Sequence, residues 1–125
     1  MLAPAEALAE ADRLLAADRP FAAHEVLEGA WKVAPPAERA LWQGLAQLAV
    51  GLTHAQRGNA EGAARLLRRG ADRIGPYAAQ PPHGVPVAEL ASAAGELADR
   101  FTADGVAGVR TEAGRQPLRL RLRPG

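Results

Sequence analysis

The sequence predicts an all-α protein, a compact array of about five helices with a short irregular or extended C-terminal tail. Three observations carry this. Alanine, leucine and arginine dominate while β-branched residues are sparse, a composition that favours helix. Apolar residues recur at helical spacing along residues 4–103. Prolines mark the starts and stops of those periodic segments.

The elements follow in order. Pro4 suits the first turn of a helix, where a missing N–H costs nothing, and Leu8, Ala11 and Leu15 then repeat, so helix 1 is expected over residues 4–18. Pro20 opens helix 2 over residues 20–33. Pro36 opens helix 3 over residues 36–57, ended by Gly58. Asn59 is a good N-cap for helix 4 over residues 60–74, with Ala63, Leu67, Ala71 and Ile74 as its apolar face. A turn-rich loop, "GPYAAQPPHGVP", leads to helix 5 over residues 86–103, where Leu90, Ala94, Leu97 and Phe101 share a face. Beyond Asp104-Gly105 the glycines are too frequent for a helix. "PLRLRLRP" alternates Leu and Arg with strand periodicity, and "VAGVR" is its one candidate hairpin mate. The division expected is a helical domain over residues 1–104 and a tail over residues 105–125. The tail should be solvated or docked on a partner and add little to the core.

The chain's 125 residues suit one domain, large enough to bury a core without staples. No cysteine is present, which excludes disulfides, thiolate zinc sites and cysteine nucleophiles and fits a reducing cytoplasm. A net charge of +1 gives no field that gathers nucleic acid or membrane. No apolar run approaches the roughly 20 residues that span a bilayer, and the acidic start lacks a basic n-region. Neither a nucleic-acid motif, a phosphate loop nor a Ser/His/Asp order stands out. Helix 4 resembles the second helix of a tetratricopeptide unit.

Polar residues on apolar faces mark the functional candidates. On helix 2, successive residues turn by about 100°, so His24 and Glu28 fall between Phe21 and Trp31 on the face that should be buried. Glu25 lies just outside that arc. Helix 3 carries the apolar stripe Leu41, Leu45, Leu48 and Leu52. Nearly opposite lies a polar stripe of Gln43, Gln47 and His54, flanked by Gly44 and Gly51. Small residues admit a close neighbour, and short connections make consecutive helices antiparallel. The expectation is that helix 2 packs there, so that the polar residues of both helices form one shared network, since buried polar groups must be paired.

Three readings fit that network. His24, Glu28 and His54 form a two-histidine, one-carboxylate set suited to zinc, iron(II) or manganese, with Gln43 and Gln47 orienting the ligands. Alternatively the cluster is a satisfied structural network, or a metal-free pocket using Gln43, Gln47, His54 and Arg57. Arg57 suits a helix C-terminus or an anionic ligand. Trp31 and Trp42 read as core, His83 as solvated, Asp18 and Arg19 as helix-end charges.

"FAAHEVLEGAW" and "LWQGLAQLAVGLTHAQRGNAEGAARLL" resemble the bacterial and archaeal family known as domain of unknown function 309. The hallmark His-x3-Glu-x2-Trp is matched by His24, Glu28 and Trp31. The later elements are matched by Gln43-Gly44, His54, Arg57-Gly58-Asn59 and Gly62-Ala63. The resemblance covers roughly residues 5–75. It implies a compact helical fold and a suggested role in metal binding, and it brings no substrate. Three functions therefore stand: a divalent-metal protein, enzymatic or not; a helical protein-interaction module, as monomer or homo-oligomer; and a small-ligand binder.

Overall fold

The computed structural model describes residues 2–113 and 120–123, the side chains of 107–113 excepted. Among these residues run five α-helices and no strand: α1 (Pro4–Ala16), α2 (Pro20–Val33), α3 (Arg39–Gln56), α4 (Ala60–Ile74) and α5 (Val87–Ala113). Their ends follow local chemistry. Pro4 and Pro20 occupy first turns. Helix α1 ends at Ala16, two residues short of expectation, because Asp18 takes a left-handed φ of 61° that no helix continues through. Pro36 opens a single 3₁₀ turn, Pro36–Glu38, which hands over to α3. Gly58, at φ 81°, stops α3. The Asn59 side chain then accepts the Gly62 N–H at 2.9 Å and caps α4 as the sequence predicts.

Each helix packs on the next along the chain, and α3 lies between α2 and α4. The predicted stripes Leu41/Leu45/Leu48/Leu52, Leu8/Ala11/Leu15 and Leu90/Ala94/Leu97/Phe101 are all buried, as are Trp42, Ala63, Leu67 and Ile74. Trp31 is partly buried against this core.

One packing expectation is corrected. The glycines of α3 face α4, not α2. A Cβ on Gly44 would lie 2.6 Å from Ile74 Cγ2 and 3.1 Å from the Gly70 carbonyl; one on Gly51 would lie 3.2 Å from the Ala63 carbonyl. Across the seam, a Cβ on Gly70 would lie 2.8 Å from the Gly44 carbonyl. The two helices run antiparallel, early α3 against late α4, at a separation that only glycine allows.

Residues 120–123 are irregular, as the sequence predicts, but where the tail begins and what it buries are corrected. Helix α5 continues to Ala113 past a kink at Gly105, whose φ of 71° is open to glycine without strain. The glycines of this stretch thus break the helix at one point and helical turns resume after it, so "VAGVR" is helical and no hairpin mate. The end of the chain also joins the core. Val106, Leu120 and Leu122 are buried, Arg121 and Arg123 stay exposed, and the Leu122 N–H donates to Asp12 Oδ1 at 3.0 Å. The Leu/Arg alternation works as period-two alternation does, one face in and one out, with no strand beside it among the described residues. Residues 114–119 and 124–125, and with them part of the predicted strand, lie outside the described residues.

Candidate functional site

Helix α2 starts against the end of α3. The turn before α2 is clamped there: Gln56 Nε2 donates to the Asp18 carbonyl at 2.7 Å and to Asp18 Oδ1 at 2.9 Å. This clamp explains the left-handed Asp18 better than a plain helix-end charge does. It also brings Arg57 over Phe21, with the guanidinium carbon 5.8 Å from the ring centroid, a cation–π distance. Phe21 remains 50% exposed despite its size.

One helical turn on, the His24 ring stands 5.6 Å from the Phe21 ring, centroid to centroid. His24 Nε2 lies 3.8 Å from Glu28 Oε2. That is within ion-pair reach but too long for a hydrogen bond. The other ring nitrogen, Nδ1, is buried and meets no partner. A proton on Nδ1 finds no acceptor and a lone pair there finds no donor, so this atom carries a desolvation cost in either tautomer. Glu28 is half exposed, and Glu25, a quarter-turn round, is exposed. Phe21, His24, Glu28 and Arg57 therefore form one surface cluster, with Trp31 further along the same helix.

The remaining predicted members go elsewhere. His54 Nδ1 pairs with Asn59 Nδ2 at 3.1 Å and sits beside Gly62, at the start of α4. Gln43 and Gln47 turn their side-chain oxygens to Arg73 near the end of α4, at 3.0 and 3.1 Å. The expected shared network between α2 and α3 does not form, and the polar stripe of α3 serves α4 instead. The cause is the glycines. Gly44 and Gly51 bring α4 against one flank of the stripe, leaving α2 the other, where Ala46, Ala49 and Thr53 are buried. His24, Glu28 and His54 do not come together, and among the described residues no group of three or more His, Cys, Asp or Glu side chains is placed to hold a metal ion. These residues do not fit the predicted zinc, iron or manganese centre.

Two polar groupings on α3 and its entry escaped the sequence reading. One is Arg73 with Gln43 and Gln47. The other is built on Glu38, whose Oε1 lies 2.8 Å from His83 Nε2 and accepts from Trp42 Nε1 at 3.3 Å. The His83 and Trp42 rings lie 5.9 Å apart, and the Tyr77 hydroxyl donates to the Ala37 carbonyl at 2.7 Å. His83 is therefore not simply solvated but fastens the proline-rich loop to the entry of α3, and it holds a left-handed φ of 56° in doing so. Its hydrogen bond is the main cause that holds the Glu38 carboxyl below its ordinary value of 4.5; partial burial opposes this, and the Trp42 bond and the His83 charge assist it. No local spacing could reveal a pair 45 residues apart.

Comparison with known proteins bears on the same segment. Residues 8–66 match the family described as Domain of unknown function (DUF309). The match runs from α1 into α4 and includes His24, Glu28, Trp31, Gln43, Gly44, His54 and Asn59. The uncharacterized protein YpuF of Bacillus subtilis (strain 168) is 50% identical over 48 residues, which are 38% of this chain and 28% of that protein. The matched stretch thus spans well under half of that relative. No solved structure matches the chain. No helix of the described residues is long and apolar enough to cross a membrane.

Proposed function

From the premise that residues 8–66 carry the DUF309 family's domain, we propose that this protein is a helical binding module. Its site is the α2–α3 flank that presents Phe21, His24, Glu28 and Arg57, and its ligand is either free or carried on a partner chain. One observation carries this reading: His24 keeps a buried, unbonded Nδ1 while its Nε2 stops 3.8 Å short of Glu28. Two side chains on adjacent turns of one helix that served only stability would close that gap, or would be leucines. Left open, it admits one hydroxyl or N–H that bonds to both groups at once. The half-exposed Phe21 ring offers an apolar face beside it, and Arg57 a cation at the rim. This combination selects a ligand with a polar hydrogen-bonding tip and an apolar body, which is the usual make-up of small-ligand sites.

Substitution of His24 by leucine tests the reading. A buried polar atom retained for binding destabilises the free protein, by about 1–3 kcal/mol for a typical unsatisfied group. His24→Leu is therefore expected to leave the melting temperature unchanged or to raise it. A loss of several degrees on thermal denaturation would show that the histidine supports the fold, and the binding reading would fall.

A further inference from the structure

A second site lies where α4 ends against the start of α3. Arg73 Nη1 donates to Gln43 Oε1 at 3.0 Å and Arg73 Nε to Gln47 Oε1 at 3.1 Å. An arginine side chain has no acceptor, so both amides must turn their oxygens to it. Their NH₂ groups, on the other side of the same carbons, then face away. Among the described residues nothing accepts from either NH₂, and no carboxylate pairs with Arg73. Left over at this point are three guanidinium N–H groups and the two amide NH₂ groups, against one spare lone pair on each amide oxygen.

The choice of residues has a further consequence. A glutamate at position 43 or 47 would give Arg73 an ordinary ion pair and neutralise it. Glutamine orients the guanidinium and leaves its charge intact. The orientation is fixed from below, since the glycine contacts between Gly44 and Gly70 bring the two backbones together at this level. Arg69, one turn before Arg73 and also exposed, adds a second positive charge along the rim.

We propose that Arg73, Gln43 and Gln47 form a binding site for a phosphoryl group. The guanidinium keeps three N–H groups unused and Arg69 sets a second positive charge one turn away, which suits a phosphoryl dianion with several terminal oxygens better than a singly charged carboxylate with two. The group is free phosphate or the end of a phosphate ester, and the two share this chemistry.

Heteronuclear NMR on the full chain reads the site directly. The side-chain NH₂ signals of Gln43 and Gln47 and the Nε–H signal of Arg73 are followed while inorganic phosphate is added at constant ionic strength. Acetate and phenyl phosphate are titrated in parallel. The three signals are expected to shift together and saturate with phosphate but not with acetate. Tighter binding of phenyl phosphate than of phosphate identifies an ester as the ligand, and equal binding identifies the free ion. Gln47→Glu should weaken phosphate binding by at least about tenfold while the melting temperature holds or rises, because the new carboxylate pairs with Arg73 and repels the anion. Should Gln47→Glu fail to fold, Arg73→Lys carries the same expected loss, since it keeps the charge but not the fork. The proposal is overturned if phosphate does not saturate these signals, if acetate matches it, or if the folded variant binds phosphate as the native protein does.

Discussion

The two flanks of α3 are built to different standards. Against α4 the backbones touch through Gly44, Gly51 and Gly70, and the side chains at the seam find partners: Gln43 and Gln47 on Arg73, His54 on Asn59, and Asn59 on the Gly62 amide. Against α2 the Gln56–Asp18 clamp is made, but His24 and Glu28 are poorly used. His24 has a buried nitrogen with no partner, Glu28 stands off from it, and Phe21 leaves half its surface in water. Both flanks carry polar residues where an amphipathic helix would carry leucine. On the α4 side each finds a partner within the fold, though the glutamine NH₂ groups keep donors to spare. On the α2 side they are left waiting, which is the condition a binding site imposes and a stabilising contact does not.

The sharpest way to break this contrast is to disturb the α4 seam. Gly70→Ala gains roughly 1 kcal/mol of helix propensity. Its new methyl would nevertheless sit 2.7 Å from Leu48 Cδ2 and 2.8 Å from the Gly44 carbonyl. The leucine tip can move, but the carbonyl cannot without shifting α3. Overpacking of this kind costs about 1–3 kcal/mol, and against a backbone carbonyl the cost lies at the upper end, so after the propensity gain denaturant unfolding should show a net loss of about 2 kcal/mol. A neutral or stabilising result would mean that the helices are not seated as tightly as the glycines indicate. Asn59→Ala comes next. It removes the cap of α4 and the partner of His54 together, and about 1 kcal/mol should be lost.

The sequence revealed the helices and the core well, because both are written in local spacing. Leu41, Leu45, Leu48 and Leu52 declare their shared face within four turns, and Asn59 declares a helix start by its own chemistry. His24 and Glu28 read as misplaced only while Phe21 marks the buried face; Phe21 is half exposed and α2 buries Pro20, Ala23 and Leu27, so the pair lies at the rim of that face. What they face was not legible. The decision between α2 and α4 as neighbour of the α3 stripe turned on Gly70, which reads on its own helix as an ordinary small residue and gains meaning only when Gly44 is opposite. Nothing local singles out Arg73, because its glutamines lie 26 and 30 residues away. The tail misled in another way: alternation reports which residues are buried, and Leu120 and Leu122 are, but it does not report what buries them.

The Glu38–His83 pair offers a control, being a titratable contact that is fully made. The carboxyl is held below its ordinary 4.5 in the folded state, chiefly by the His83 hydrogen bond. A carboxylate with a lowered folded value contributes stability that is complete above its unfolded value and is lost as pH falls through the folded one. Unfolding curves taken between neutral pH and about pH 3 should therefore show an acid limb that flattens in Glu38→Gln. An unchanged acid limb in that variant would place the proton uptake elsewhere.

The smallest expected effect is the most telling for the α2 flank. In a double-mutant cycle on His24→Asn and Glu28→Gln, the coupling energy isolates what the pair contributes to the free protein. The side chains are 20% and 40% exposed and their nearest nitrogen and oxygen are 3.8 Å apart. An exposed i, i+4 pair with that geometry couples by no more than about 0.5 kcal/mol. A value of that size says that His24 and Glu28 share a turn of helix without depending on each other, so the gap between them is open to a ligand. A coupling well above 1 kcal/mol would say that the two close on one another in solution, and the flank facing α2 would then be as finished as the flank facing α4. Zinc, added by calorimetry to the metal-free protein, extends the same question. With two candidate ligands on α2 and His54 engaged by Asn59, tight stoichiometric binding is not expected, and finding it would require the His54 ring to leave α4.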